Sequence, residues 1–215
     1  MRSDVRHPSV GVRLLTRPDA GVPGVAVLDS AFIETSCEIC LSDDLNLFGY
    51  LRNLLEAGED PRSREEQIWA RYGQTVAVLV LDSSGFSRIS QSHGIVHYLA
   101  KLVQMRDTVN PGFEAEGARR SHFEADNAFA LFDHPDAAIR AARQCRAAIA
   151  QARLMLTETE PFQVCVGIGY GQMLYSETLE GYFSSEMNIG SKLGEDTADG
   201  GETLLTQSAH AAADA

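Results

Sequence analysis

Two aspartates stand where an apolar, strand-like segment meets a turn. Asp82 directly follows the apolar run 76-VAVLVL-81, and Asp126 lies 44 residues later, at or near the turn of a predicted hairpin. A charge at the end of a buried strand costs free energy unless it is paired, and neither aspartate has a lysine or arginine beside it in the sequence. Paired carboxylates of this kind suit hard divalent cations such as Mg²⁺ or Mn²⁺. The alternative is that both are ordinary turn aspartates.

The turn after Asp82 has the composition of a phosphate-binding turn. It contains small residues and leads into a helix-like pattern, and the first turn of a helix binds phosphate through unpaired backbone N–H groups and the helix dipole. We interpret the phenylalanine of this turn as a core anchor rather than a stacking residue. Together with the two aspartates the turn predicts a nucleoside triphosphate site, with the phosphates held by Ser83, Ser84, Gly85, Phe86 and Ser87.

The elements that must position these residues follow the order strand, helix, strand, strand, helix, strand. That order is the split βαβ arrangement of ferredoxin-like folds, an α+β class in which we expect helices to cover one face of the sheet. The first and third strands are neighbours in this arrangement, so Asp82 and Asp126 can reach one edge of the sheet. Strands are predicted at 75–81, as a pair within 113–132, at 162–175 with glycines interrupting the strand, and at 202–206; helices are predicted at 93–109, 136–155 and around 188–198.

The bulk composition excludes several functions. The 215 residues are 44% hydrophobic and 22% charged, which is enough for one globular domain with a smaller appendage, and the net charge is −12. Proteins that bind a nucleic-acid backbone carry a basic face, so we expect no nucleic-acid partner. The apolar runs are far shorter than the ~20 residues of a membrane span, and residues 1–15 lack the apolar core of a secretory signal. We therefore expect a soluble, cytoplasmic protein with no membrane partner.

The first third of the chain differs from the rest. Residues 1–73 contain four of the seven prolines, a helical pattern at 42–60 and a short helix or linker at 61–73. We predict an N-terminal extension over 1–73 and a catalytic domain over 74–215. The extension is either a regulatory or dimerising element or a segment that packs on the main domain.

Other cysteines and histidines give weaker indications. Cys37 and Cys40 form a single CxxC pair without a second pair at zinc-site spacing, which favours reduced thiols over a structural zinc. His93 and His97 are four residues apart on a predicted helix and could in principle share a metal ion, but no third ligand lies near them in the sequence.

Four segments, in order and at near-standard spacing, resemble motifs of the class III nucleotidyl cyclases. The segment 82-DSSGFS-87 resembles the DxxGFT/S motif of that family, and 122-HFEADNAFALF-132 resembles its metal-binding hairpin, with Asp126 in the aspartate position. The segment 166-VGIGYGQMLY-175 is similar to the VGIHTGEV strand, and 187-MNIGSKLGEDTADGGETLLT-206 is similar to the VNxAxRL helix followed by the GEILVS strand. The resemblance covers about residues 74 to 210.

The resemblance implies a mechanism and a partner. Two such domains would form a head-to-tail homodimer with the active sites between them. Asp82 and Asp126 would hold two divalent cations, Mg²⁺ or Mn²⁺, one activating the ribose 3′-hydroxyl and the other binding the triphosphate. Attack on the α-phosphorus would release pyrophosphate and leave a 3′,5′-cyclic nucleotide. Asn188, in the asparagine position of the family, would orient the ribose from the partner chain.

The departures from the family pattern bear on activity and on the base. Lys192 stands where the family has the arginine that stabilises the transition state; lysine keeps the charge but lacks the bidentate fork, and we expect activity to fall roughly 10- to 100-fold. His122 occupies the position of the base-reading lysine, as a base contact or as an exposed strand histidine, and the second base-reading position falls on Gly181. Neither the adenine nor the guanine signature is present, and pyrimidine triphosphates stay open.

Three functions fit these residues. The first is an active class III cyclase, favoured by the retention of both aspartates. The second is a catalytically silent cyclase-homology domain that binds nucleotide or a signalling partner, favoured by the missing arginine and base-reading pair. The third is a ferredoxin-like polymerase or diguanylate-cyclase relative, which ranks last because the GG[DE]EF hairpin motif is absent.

Overall fold

One mixed sheet and the helices around it make up the described part of the chain. The computed structural model describes residues 47–175 and 182–214. Within these ranges the elements in chain order are α1 (Leu47–Glu56), α2 (Pro61–Tyr72), β1 (Gly73–Ser83), α3 (Phe86–His93), α4 (Ile95–Ala115), β2 (Arg120–Glu124), β3 (Asn127–Phe132), α5 (Pro135–Gln151), β4 (Val164–Tyr175), β5 (Tyr182–Phe183), α6 (Ser185–Lys192), a π-helical turn (Leu193–Thr197), β6 (Thr203–Leu205) and α7 (Gln207–Ala212).

The strand order confirms the predicted ferredoxin-like fold. The sheet runs β2-β3-β1-β4-β5, and β6 pairs with β4. The β6–β4 pairing is parallel, whereas the other pairings are antiparallel. The first four strands therefore have the order of a split βαβ fold, in which β1 and β3 are neighbours.

The central strand β1 is buried on both faces. Residues 76–81 are each at most 1% exposed. Alternate residues of a strand point to opposite faces: Ala77, Leu79 and Leu81 join the core under α4 and α5, whereas Val76, Val78 and Val80 join a second cluster that includes Met187 of α6. The expectation that helices cover one face of the sheet is thus incomplete, because α6 lies on the other face.

The helical region after β1 differs from the prediction at both ends. A single helix over 93–109 was expected, but α3 ends at His93, Gly94 adopts a φ of +86°, and α4 begins after it. The helix α4 then continues past Pro111 to Ala115. The pair of strands predicted within 113–132 is present but occupies only the later part of that segment, since β2 begins at Arg120. Phe113 is 0% exposed, and the free energy gained by its burial offsets the loss of the backbone hydrogen bond that the proline cannot donate.

The two helices before β1 pack on the end of the sheet. Residues of α1 and α2 form an apolar cluster that includes Leu174 of β4, and the rings of Phe48 and Phe183 meet edge to face at 5.9 Å. Asp60 caps α2 by accepting hydrogen bonds from the first-turn N–H groups. The boundary at 73/74 stays a prediction, and residues 1–46, with Cys37 and Cys40, lie outside the described residues.

None of the helices in the described ranges combines the length and the apolar character that crossing a bilayer requires.

Candidate active site at the edge of the sheet

Asp82 and Asp126, the predicted metal ligands, lie at the same edge of the sheet. The strands β1 and β3 are antiparallel, and their pairing ends at Leu81 and Ala128. Asp82 is the next residue of β1, and Asp126 lies in the two-residue turn between β2 and β3. Each aspartate is half-buried. The chain therefore brings together the two carboxylates that the sequence pattern singles out.

The electrostatic environment of Asp82 disfavours its charged form. Its pKa is raised from 3.8 to about 7, chiefly because the carboxyl is buried and secondly because the Asp126 carboxylate repels it. Glu195 and Asp196 raise this pKa further, while a hydrogen bond from the backbone N–H of Ser83 lowers it. A bound cation would relieve this repulsion.

Glu195 and Asp196 are acidic residues of the site that the sequence analysis misses. They lie in the π-helical turn after α6, and such turns are frequent at functional sites. The side chain of Asn127 makes a weak hydrogen bond of 3.5 Å to Oε1 of Glu195, and burial, Asp196 and Asp126 raise the pKa of Glu195. One indication is present in the sequence: Glu195 lies about two helical turns after Asn188, which would place both on one face of a regular helix. That spacing alone does not predict the π-helical turn in which Glu195 lies.

The turn that carries Asp126 is held by α4. Ala125 has a left-handed φ of +49°, and Arg106 of α4 donates a hydrogen bond from Nη2 to its carbonyl oxygen. The same guanidinium lies 5.3 Å from the ring centre of Phe123. Oδ1 of Asn127, the residue after Asp126, is buried and has no hydrogen-bond partner within the described chain. A buried acceptor without a donor is costly, so this part of the site favours a bound donor or cation.

The donor set at the sheet edge fits a hard divalent cation. Carboxylate oxygens of Asp82 and Asp126, with the amide oxygen of Asn127 nearby in sequence, are ligands that Mg²⁺ and Mn²⁺ accept. In residues 47–175 and 182–214, however, no set of three or more histidine, cysteine, aspartate or glutamate side chains is arranged to hold a metal ion. The two aspartates are therefore a partial ligand set rather than a complete metal centre.

The first part of the predicted phosphate turn is occupied by contacts within the chain. Ser83 is 3% exposed, and its hydroxyl is hydrogen-bonded to the hydroxyl of Tyr98. The backbone N–H of Ser84 donates to the carbonyl of Gln163 at 3.1 Å. These two groups are already engaged, so they are poorly placed to bind a phosphate.

The second part of the turn retains the features of a helix N-terminus. Gly85 adopts a φ of +99° and precedes α3 without a side-chain cap. The N–H groups of Phe86 and Ser87 lie in the first turn of α3, where the helix itself supplies no acceptor. Phe86 is 38% exposed and contacts Tyr98 edge to face at 4.8 Å, so it anchors the turn to the core on one side.

His122, the predicted base contact, lies on β2 and is half-buried. Its ring stacks on Phe129 of β3, with ring centres 4.9 Å apart and planes inclined by 14°. Phe129 belongs to the apolar cluster on the α6 side of the sheet, so His122 is on that side as well. Its role as a base contact stays a prediction, and Gly181, at the second base-reading position, lies outside the described residues.

The glycines of β4 position α6 rather than interrupt the strand. The strand is continuous over Val164–Tyr175. A Cβ atom added at Gly167 would lie 1.9 Å from the carbonyl oxygen of Gly190, and one added at Gly169 would lie 2.5 Å from that of Glu186. The backbone of α6 therefore lies directly on β4, which requires residues without side chains.

Asn188 and Lys192, the predicted catalytic residues of α6, are both exposed. In the described part of one chain, no hydrogen bond or ion pair joins either of them to Asp82 or Asp126. One chain thus presents two groups of predicted site residues on different elements, the aspartates on β1 and its neighbouring hairpin and the polar pair on α6.

Comparisons by structure identify the fold. The chain is similar to the adenylate/guanylate cyclase/hydrolase of Silicibacter pomeroyi, with 21% identity, 65% of this chain and 79% of that chain covered and a TM-score of 0.53. It is similar to the non-canonical dimeric guanylyl cyclase domain of the RhoGC fusion protein of Blastocladiella emersonii (15% identity, 65% and 84% covered, TM-score 0.55). The guanylate cyclase domain of RhGC from Catenaria anguillulae, in complex with GTP, also matches (16% identity, 64% and 81% covered, TM-score 0.55).

Comparisons by sequence add nothing to this result, since neither a protein-family model nor a curated protein matches the chain. The structural likeness extends over about two thirds of the chain. The chain therefore has the fold of the class III adenylate/guanylate cyclase catalytic domain, as its four motifs predict.

Proposed function

We propose that this protein is a nucleotidyl cyclase that converts a nucleoside triphosphate into a 3′,5′-cyclic nucleotide and pyrophosphate. The observation that carries the proposal is the meeting of Asp82 and Asp126 at one sheet edge of a cyclase fold. The raised pKa of Asp82 supports it, because carboxylates that repel each other in the absence of a cation are suited to bind one. A retained pair of this kind has no evident structural use.

Each group of residues has a part in the proposed reaction. Divalent ions at Asp82 and Asp126, with phosphate and water oxygens as further ligands, would neutralise charge and activate the ribose 3′-hydroxyl. The first-turn N–H groups of α3 would hold phosphate oxygens. Asn188 would hydrogen-bond to the ribose and fix the orientation of its hydroxyl towards the α-phosphorus. Lys192 would donate to phosphate oxygens as negative charge develops there.

We propose further that the active protein is a head-to-tail homodimer. In the described part of one chain no hydrogen bond or ion pair joins the aspartates to the polar residues of α6, and in the family that the motifs resemble these groups meet across a dimer. A complete site would then combine the aspartates of one chain with Asn188 and Lys192 of the other. A two-fold axis would create two such sites. The head-to-tail arrangement is the one that the resemblance of the four motifs implies, and a non-canonical dimeric cyclase domain is among the similar structures.

A mixing experiment tests both the reaction and the dimer. Asp82→Asn and Asn188→Ala each remove one side of the site and should each be inactive. Mixed in equal amounts, they should regain about a quarter of the wild-type activity, because half of the dimers would be mixed and each of those would hold one intact site.

A matched pair gives the control for that experiment. A mixture of Asp82→Asn and Asp126→Asn should stay inactive, since both changes fall on the same side of the site. Recovery in this control, or no recovery in the first mixture despite mixed dimers, would contradict the shared site.

The alternative function is a catalytically silent cyclase-homology domain that binds nucleotide or a signalling partner. Two observations favour it: Lys192 replaces the family arginine, and two groups of the phosphate turn, the Ser83 hydroxyl and the Ser84 N–H, are engaged within the chain. Metal-dependent triphosphate binding without any cyclic product would support this function. The base and the cytoplasmic location stay predictions.

A further inference from the structure

We propose that His93 and His97 bind a divalent transition-metal ion such as Zn²⁺ at the break between α3 and α4. His93 is the last residue of α3 and His97 lies in the first turn of α4. Gly94, with its φ of +86°, interrupts the helix between them. The site is separate from the carboxylates at the sheet edge and does not rest on the cyclase proposal.

Hydrogen bonds to the second nitrogen of each ring leave one nitrogen free for a metal. Nε2 of His97 lies 2.9 Å from the carbonyl oxygen of Leu156. A carbonyl only accepts, so Nε2 carries the proton and Nδ1 keeps its lone pair. Histidine ligands in metal sites commonly donate their other N–H to a backbone carbonyl in this way.

A hydrogen bond to Ser92 sets the tautomer of His93 in this site. The hydroxyl of Ser92 has the carbonyl of Arg88 at 2.9 Å and Nδ1 of His93 at 2.8 Å as possible acceptors of its single proton. In the proposed site the hydroxyl donates to the carbonyl, and Nδ1 of His93 donates to the hydroxyl oxygen. Nε2 of His93 therefore keeps the lone pair that a metal requires.

The separation of the two rings matches a shared ion. A Zn–N bond of about 2.0–2.1 Å places the ion about 3.2 Å from a ring centre, and a tetrahedral angle then separates two ring centres by about 5.2 Å. The ring centres of His93 and His97 are 5.2 Å apart. Two imidazoles favour zinc, copper or nickel over Mg²⁺.

The surroundings supply a place for the remaining ligands. Both histidines line a surface cavity of about 590 Å³ that Glu158 and Glu160 also line. Glu160 forms a bidentate ion pair with Arg88, whereas Glu158 is exposed. Water would complete the coordination, because Glu158 is not arranged with the two histidines as a three-residue metal group.

The proposal is tested by titrating the full chain with Zn²⁺ and measuring the heat of binding by calorimetry. Excess Mg²⁺ is present throughout to occupy the carboxylate site. We expect one zinc site in the wild-type protein and its loss in both His93→Gln and His97→Gln. His210→Gln, in α7, is the matched control and should retain the site. Circular dichroism of each variant verifies the fold.

A second variant separates a metal site from two histidines that merely pack together. Ser92→Ala leaves both rings in place but removes the acceptor of the His93 Nδ1 proton, and such losses typically lower affinity about 10-fold or more. The proposal would be overturned if the wild-type protein did not bind zinc. It would also be overturned if His93→Gln and His97→Gln bound zinc as tightly as the wild type.

Discussion

Asp82 and Asp126 lie 44 residues apart in the sequence yet face the same edge of the sheet, because antiparallel pairing of β1 and β3 ends beside both of them. Their proximity contributes to a pKa of about 7 for Asp82. A negative cluster of this kind opposes folding when no cation is bound. The cluster therefore couples the proposed function to stability, and the coupling can be measured.

The first prediction is that the metal-free protein loses stability as the pH rises from about 4 to 7. In the folded state Asp82 keeps its proton up to about pH 7, whereas its usual pKa is 3.8. The folded state thus binds more protons in this range, and the free energy of unfolding falls as the pH increases. Asp82→Asn removes this dependence and should raise Tm by a few degrees at pH 8 in EDTA, as ~1 kcal/mol shifts Tm by about 2–4 °C at this size.

Thermal unfolding with and without Mn²⁺ checks this prediction. Mn²⁺ should raise the Tm of the wild-type protein and have little effect on Asp82→Asn. Asp107→Asn, an exposed position on α4, is the control and should behave like the wild type. A lower Tm for Asp82→Asn in EDTA at pH 8 would contradict the repulsion between the carboxylates.

The second prediction concerns the glycines under α6. Gly167→Ala forces a Cβ against the carbonyl oxygen of Gly190, and backbone cannot yield, so we expect about 3 kcal/mol of destabilisation or failure to fold. Gly171→Ala meets the Cγ of Glu186 at 3.0 Å, a side chain rather than backbone. The carboxylate of Glu186 accepts hydrogen bonds from the Tyr170 N–H, Thr206 and Ser208, so this side chain can shift only slightly and we expect a smaller cost of about 1 kcal/mol. Urea unfolding of both variants measures the difference, and equal costs would refute the close packing of α6 on β4.

The third prediction concerns Lys192 and rests on the proposed reaction. Lys192→Arg restores the bidentate donor that matches phosphate oxygens, and we expect turnover to increase about 10-fold or more. The chain has one other lysine, Lys101 on α4, and Lys101→Arg is the matched control with unchanged turnover. An increase in both variants, or in neither, would show that Lys192 does not act at the transition state.

The pattern of apolar residues and turn residues in the sequence predicted most of the helices and strands. The apolar run of β1 and the hairpin around Asp126 are continuous in sequence, and their strand order follows from the alternation of elements. The passage of α4 through Pro111 was not predicted, because tertiary burial of Phe113 outweighs local propensity. The break between α3 and α4 was also missed; it lies at Gly94, whose positive φ a residue without a side chain adopts readily.

The candidate site was only partly visible from the sequence. The predicted strand order makes β1 and β3 neighbours, and this order alone implies that Asp82 and Asp126 lie at the same edge of the sheet. The burial of the Ser83 hydroxyl against Tyr98 and the approach of Glu195 to Asn127 depend on contacts between distant segments. No local pattern encodes those contacts.

Formation of a cyclic nucleotide tests the proposed reaction directly. Purified protein is incubated with Mn²⁺ and each of ATP, GTP, CTP and UTP, and the products are identified by mass spectrometry. We expect a 3′,5′-cyclic product from at least one triphosphate with the wild-type protein and none with Asp82→Asn. No cyclic product from any of the four, or an equal yield from Asp82→Asn, would contradict the proposed reaction.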